Sequence, residues 1–229
     1  MGTSERRDEG VMSEVNEAPR TRAPGNRSRA RIAEAAARLA TVEGLDGLSI
    51  GRLAESTGMP KSSVHALFGS KEDLQMATIT AARDSFVTEV VTPALSGTAP
   101  GRQRLLALCD GFLSYVERRI FPGGCFFVAT SAEMGARPGR VHDEVARVQQ
   151  QWRDLLVREA RAAAEGGELP ECTEPEQIAF ELGAILAGTD LVCVLHDDLG
   201  VLDRARSAIR QRLGIPAPPA DHARQPRRR

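Results

Sequence analysis

Aromatic residues make up only 4% of this 229-residue chain, with one Trp and one Tyr. An all-β sandwich or barrel leans on aromatic and β-branched strands, so the shortage argues against that class. Lysine is nearly missing as well: Lys61 and Lys71 stand alone among 30 basic residues, and the rest are arginine. No surplus of either charge exists, because 31 acidic residues bring the formal net charge to −1. A chain that neutralises phosphates usually carries a basic excess, so the neutral total at first speaks against nucleic acid as a partner. The start of the chain lacks the basic-then-apolar layout of a signal peptide, and no apolar run approaches the roughly 20 residues needed to cross a bilayer. A soluble, cytoplasmic protein is expected. The four cysteines (Cys109, Cys125, Cys172, Cys193) form no Cys-x-x-Cys pair and no cluster with histidine, which suits reduced, mostly buried thiols. His142 and His196, with their neighbouring acids, fit no tight ligand spacing, so neither a metal nor another cofactor is expected.

What is present is Ala- and Leu-rich sequence at helical spacing, with 41% of residues apolar. Residues 1–25 and 216–229 have too little apolar surface to offset chain entropy and read as disordered tails. Splitting the charge by region makes the total informative. Residues 20–74 hold 9 basic and 6 acidic residues, whereas 75–215 hold 15 and 19. Neutrality conceals a basic N-terminal module on an acidic body.

In the module, Ile32, Ala35, Ala36, Leu39 and Ala40 give one apolar stripe to a helix over 28–43, which Gly44 ends. Ser49 is a natural N-cap for a second, short helix that stops at Gly58. A third begins near Pro60 and ends near Gly69, and Ser70-Lys71-Glu72-Asp73 opens a long fourth helix with two acids on its positive end. The second and third helices meet at a tight turn with a small residue at their approach (Ala54), glycine at the bend (Gly58) and Leu53, Met59, Val64 and Leu67 inside. That is the helix-turn-helix pattern, whose second helix enters the major groove. The outer face of this recognition helix offers Lys61, Ser62, Ser63 and His65, which suit phosphate oxygens and base edges. Arg20, Arg22, Arg27, Arg29 and Arg31 precede or open the first helix, where an arm reaches phosphates or a minor groove. Phe68 and Leu74 are expected in the core, locking the module onto the fourth helix.

The stretch LSIGRLAESTGMPKSSVHALFGSKEDL, Leu48 to Leu74, resembles the DNA-binding signature of TetR-type (tetracycline-repressor-like) transcriptional regulators. The likeness is specific over about 27–84, and beyond that only the layout of a long helical ligand domain agrees. The resemblance implies that Ser49 contacts phosphate, that Lys61, Ser62, Ser63 and His65 form the recognition surface, and that Lys71 clamps a further phosphate. Where family members often carry an aromatic pair before the Phe, this chain has His65-Ala66-Leu67 and lacks the tyrosine phosphate contact.

The body reads as helices at about 102–119, 125–135, 139–165, 175–196 and 202–213, after a break at Pro93 and the Gly/Pro-containing stretch 97–101. Phe112, Tyr115, Phe121, Phe126, Phe127 and Trp152 lie on three adjacent helices, with Cys125, Thr130, Ser131 and Glu133 as polar groups among them. Two readings are open here, a small-molecule pocket or a plain core. Cys125 follows Gly123-Gly124 at a helix start, where a thiolate would be stabilised. Residues 178–195 are apolar nearly all round, so that helix must be covered on both sides. Gly183, Ala184, Ala187 and Gly188 permit close helix approach, and with Leu191 and Leu195 they mark a dimer interface, completed by the 202–213 helix.

The expected fold is all-α: a three-helix helix-turn-helix DNA-binding domain (26–75) joined by a long fourth helix to a larger ligand-binding and dimerisation domain (76–215). The expected function is a ligand-responsive regulator, a repressor that binds a palindromic operator on double-stranded DNA as a homodimer and is released by a small-molecule effector. No enzyme is expected, since no phosphate loop, nucleophile–base pair or metal cluster is evident. The alternatives are an enzyme or redox sensor using Cys125, or a helical protein-interaction module with a basic head.

Overall fold

The computed structural model describes residues 24–170 and 174–216, so Arg20, Arg22, Cys172 and nearly all of both expected tails lie outside the described residues. It contains no strand among the described residues. The helices are α1 (Pro24–Glu43), α2 (Ile50–Thr57), α3 (Lys61–Phe68), α4 (Lys71–Phe86), a π turn (Val87–Val91), α5 (Thr92–Gly97), α6 (Arg102–Glu117), α7 (Phe126–Met134), α8 (Arg140–Glu165), α9 (Pro175–His196) and α10 (Gly200–Arg212).

Local chemistry sets the joints of the head. Ser49 accepts the backbone N–H of Arg52 at 3.2 Å and starts α2, while Gly58, at φ 66°, ends it in the left-handed conformation that an L side chain resists. Pro60 stands just outside α3, and its carbonyl accepts from Ser63 and Val64 at 2.9 and 3.2 Å. Ser70 caps α4 through the Asp73 N–H at 3.0 Å. Helix α1 starts at Pro24, four residues before the expected Ser28, because proline suits a first helical turn. Its buried stripe is Ile32, Ala33, Ala36, Ala37 and Ala40, with Ala35 and Leu39 only partly covered. The stripe closes on Leu45, Leu48, Leu53, Val64, Phe68 and Leu74, all buried.

The expected break at Pro93 does not occur. Proline has no N–H, and its ring would strike the carbonyl four residues back in a regular helix. Here the preceding turn widens into the π turn, in which Thr92 N–H reaches the Val87 carbonyl, and the helix runs on to Gly97. Helix α4 packs against α1 on the head side and α8 on the body side, so it joins the two without interruption.

In the body, α6 lies against α8, α9 and α10. Helix α9 corrects the expectation that no apolar run has bilayer length: its 22 residues are long and apolar enough to cross a membrane by length and composition. One side, with Ile178, Leu182, Leu186 and Cys193, is buried in the protein, and it includes the carboxyl-bearing Asp190. Its other side is uncovered in the single chain, with Phe180 68%, Leu191 56% and Leu195 77% exposed.

Candidate nucleic-acid interface

Val64 and Phe68 pin α3 to the core, which turns Lys61, Ser62 and His65 outward. Ser63 is half-buried beside them. The Lys61 ammonium end passes the start of α2, where a Cβ on Gly51 would lie 3.9 Å from its Nζ. Ser49 Oγ is occupied as an acceptor by the α2 cap, which leaves its hydroxyl proton to donate outward. Arg27 is exposed at the start of α1.

Arg29 and Lys71, both expected at DNA, are engaged within the protein. Arg29 Nε donates to the Leu67 carbonyl at 3.1 Å, and its guanidinium carbon sits 5.1 Å from the centre of the Phe68 ring. This half-buried arginine braces the end of α3 by a hydrogen bond and a cation–π contact. Lys71 Nζ donates to the Asp46 carbonyl at 2.5 Å and to Asp46 Oδ1 at 3.2 Å. Asp46 also takes Arg137 at 2.6 Å, and these two cations, Arg137 first, hold its carboxyl below the usual carboxylate range.

Glu133 departs most from expectation. It does not point a polar group into a body pocket; its carboxylate accepts the backbone N–H groups of Leu45 and Asp46 at 2.7 and 2.6 Å. The loop between α1 and α2 is thereby tied to the end of α7. A Cβ on Gly44 would come 3.1 Å from Glu133 Oε1, and with φ at 84° this position suits glycine twice over. A second tie between head and body runs from Gly123 N–H to Thr41 Oγ1 at 3.2 Å.

Behind the head, Phe112, Tyr115, Cys125, Phe126, Phe127 and Thr130 are buried and Trp152 is half-buried. The rings of Phe112, Tyr115 and Trp152 meet Phe86 edge to face at centroid distances of 6.1, 5.7 and 5.1 Å, and Phe126 and Phe127 join the group through Phe121, which touches Tyr115. Phe86 escaped the sequence reading, although its spacing from Ile79 and Ala82 places it on the buried side of α4. Two clefts open elsewhere. One, of about 600 Å³, lies between α9 and α10 beside Phe180, Glu181 and Arg212. The other, of about 190 Å³, separates head from body beside Asp46, Glu72, Arg137 and Arg140.

Cys109, Cys125 and Cys193 are free and buried, as expected, and at Cys125 the burial works against the alternative of a stabilised thiolate. Burial pushes this thiol up to about 12, the negative charge of Asp190 adds to the rise, and both outweigh the helix start. A reactive thiolate at Cys125 is disfavoured by this burial. Asp190 Oδ1 accepts the Cys125 backbone N–H at 2.9 Å, tying α9 to the start of α7. Burial lifts the Asp190 carboxyl up to about 6, although the bond from Cys125 opposes the rise. Between its unfolded value, about 3.9, and its folded value the native state keeps a proton that the unfolded chain gives up. Stability from this group is complete below the unfolded value and is lost as pH rises through 6. Asp190→Asn keeps an oxygen for Cys125 and removes the charge. The variant is expected to gain about 2–3 kcal/mol over the parent at pH near 7.5 and nothing at pH near 4. Thermal unfolding at both pH values checks this, and equal Tm at the higher pH would refute it.

The expected dimer residues fall on the outer side of α9. Ala184, Gly188, Leu191 and Leu195 are exposed there in line with Phe180, while Gly183 and Ala187 are half-buried. A Cβ on Gly183 or Gly188 would meet nothing within 4 Å, so neither glycine is required by packing inside the chain. They leave this side of the helix flat.

Residues 32–77 match the family model for bacterial regulatory proteins of the tetR family, and residues 101–209 match the tetracyclin repressor-like C-terminal domain. No curated protein sequence matches the chain. Several solved structures share the fold. A TetR transcriptional regulator from Chloroflexus aurantiacus is 25% identical with a TM-score of 0.74, over 82% of this chain and 94% of that one. A TetR-family regulator from Cytophaga hutchinsonii is 22% identical with a TM-score of 0.73, over 85% and 97%. AibR, in complex with isovaleryl coenzyme A and operator DNA, is 20% identical with a TM-score of 0.64, over 81% and 98%.

Proposed function

The chain belongs to the tetR family of bacterial regulatory proteins, and from that membership we propose that it is a cytoplasmic repressor that binds a palindromic operator as a homodimer and leaves it when a small molecule occupies the body. The observation that carries the reading is the outward face of α3, where Lys61, Ser62 and His65 project while Val64 and Phe68 hold the helix from behind. Lys61 meets phosphate or a base edge, and Ser62, Ser63 and His65 read beside it. Ser49, Arg27 and Lys71 fix the head on the backbone of the duplex. Arg29 serves indirectly, by holding α3.

The effector enters the aromatic group around Phe86, parting Phe112, Tyr115, Phe126, Phe127 and Trp152, with Cys125 and Thr130 as neighbouring polar atoms. AibR, seen with an acyl coenzyme A and with operator DNA, supports a body that accepts a small molecule in this fold. Such a ligand shifts the head positions only by its different affinity for the two states. The role is regulatory and needs no cofactor.

The test uses a duplex recovered by selection from a random-sequence pool with the wild-type protein. Changing both Lys61 and His65 to Ala is expected to weaken binding to it about 10- to 100-fold, with the dimer and the Tm unchanged. Retained DNA binding would reject the recognition surface, whereas failure to select any duplex would leave a protein-interaction module as the better reading.

A further inference from the structure

Asp46 accepts from Lys71, the residue assigned above to phosphate, Glu72 and Asp73 follow it in the chain, and each of these three acids meets an arginine of the body. Asp46 Oδ2 lies 2.6 Å from Arg137 Nη1, in the loop after α7. Glu72 Oε1 and Asp73 Oδ1 lie 3.3 and 3.4 Å from Arg140 Nη1, in the first turn of α8. All three acids belong to the head, both arginines to the body, and the cleft of about 190 Å³ runs between them. In the neutral sequence total these charges cancel; in space they are arranged in opposed rows across one boundary.

We propose that Arg137 and Arg140 are positioning residues for operator binding, which mask Asp46, Glu72 and Asp73 so that Lys71 can hold a DNA phosphate. The proposal rests on the operator-binding reading above and adds its regulation. The physical argument is one of competition. Lys71 donates to Asp46 in the structure, so a phosphate must compete with that carboxylate for the same ammonium group. With Arg137 on its second oxygen, Asp46 is shared between two cations and holds each less tightly. If the arginine withdraws, the full charge falls on Lys71. Glu72 and Asp73, left with only the positive end of α4 and, for Asp73, the Ser70 hydroxyl, then also set negative charge next to the duplex backbone.

Small movements suffice, because the masking bonds span the boundary between head and body. Glu133 holds the Leu45 and Asp46 amides from α7, while Gln75 of α4 holds the Leu45 carbonyl at 2.9 Å. The loop carrying Asp46 is thus fixed to the head on one side and to the body on the other. A ligand that shifts α7 or the start of α8 relative to α4 separates arginines from acids without unfolding anything. All the ion-pair partners are about half-exposed, so water and salt screen each pair.

Replacing both arginines, Arg137→Gln with Arg140→Gln, is expected to weaken binding to the selected duplex roughly tenfold at low salt, since exposed pairs contribute modestly and all three in each protomer are lost. The decisive comparison is the same pair of changes made in an Asp46→Asn, Glu72→Gln background, where the loss is expected to shrink below about twofold. Arg137→Lys with Arg140→Lys keeps the charge and is expected to restore binding to within about twofold of the parent. Thermal unfolding and sedimentation accompany each variant, so that loss of fold or dimer is recognised. A tenfold loss that persists in the Asp46→Asn, Glu72→Gln background means that the arginines touch DNA themselves, and it overturns the proposal. Unchanged binding in the Gln variant overturns it as well. Neither result bears on the recognition surface, which the Lys61 and His65 variant tests separately.

Discussion

Raising the salt from about 50 to 200 mM lowers operator affinity by roughly 10³ to 10⁵, the expected consequence of about 6–10 phosphate contacts per dimer. Lys61, Lys71 and Arg27 of two protomers supply the lower end of that range, and Ser49 adds contacts without releasing counterions. A near-neutral protein with formal net charge −1 is an unusual candidate for so steep a dependence. Local charge decides the matter, because screening limits interactions to about 8–10 Å near physiological salt. The acids beside Lys71 are paired with arginine. Fluorescence anisotropy on the selected duplex across a salt series measures the slope. A flat response would exclude the assigned phosphate contacts as a set.

Changing Leu191 and Leu195 together to Asp is expected to split the dimer and to lower operator affinity by about 10² to 10⁴, the loss that follows when two linked binding events become separate. Both side chains are more than half exposed in the single chain, so the substitutions leave the buried face of α9 intact. They place four carboxylates per dimer on an apolar strip where no partner awaits them, and burying an unpaired charge is prohibitive. The adjacent Gly183 and Gly188 let two such helices approach closely. Sedimentation velocity reads the oligomeric state, circular dichroism confirms retained helix, and anisotropy reads the duplex. A variant that stays dimeric moves the interface away from this face. One that becomes monomeric yet binds the duplex as before would instead remove the need for two coupled reading heads.

Much of the head was legible from the sequence because its determinants are local. Ser49, Gly58, Gly69 and Ser70 act within a few residues of themselves, so caps and bends could be placed without knowing what packs where. The apolar spacing of Val64 and Phe68 likewise fixed which side of α3 faces out. Pro93 misled for the same reason: a local rule forbids proline inside a regular helix, and only the π turn before it reconciles the two. Cys125 is buried as the sequence reading expected, and that burial outweighs the helix start that would favour a thiolate.

The sequence by itself determined the helical class, the helix-turn-helix, the outward set Lys61, Ser62 and His65, and the split between a basic module and an acidic body. These follow from periodicity, capping and composition, which act over a few residues at a time. Only the tertiary structure decided where long-range partners meet. Glu133 belongs to the head's loop from 87 or more residues away, Arg29 braces α3 across 38, and Arg137 faces Asp46 across 91. Such pairings depend on how whole helices are stacked, and nothing in the neighbourhood of a carboxylate says which distant amide or guanidinium the fold will bring to it.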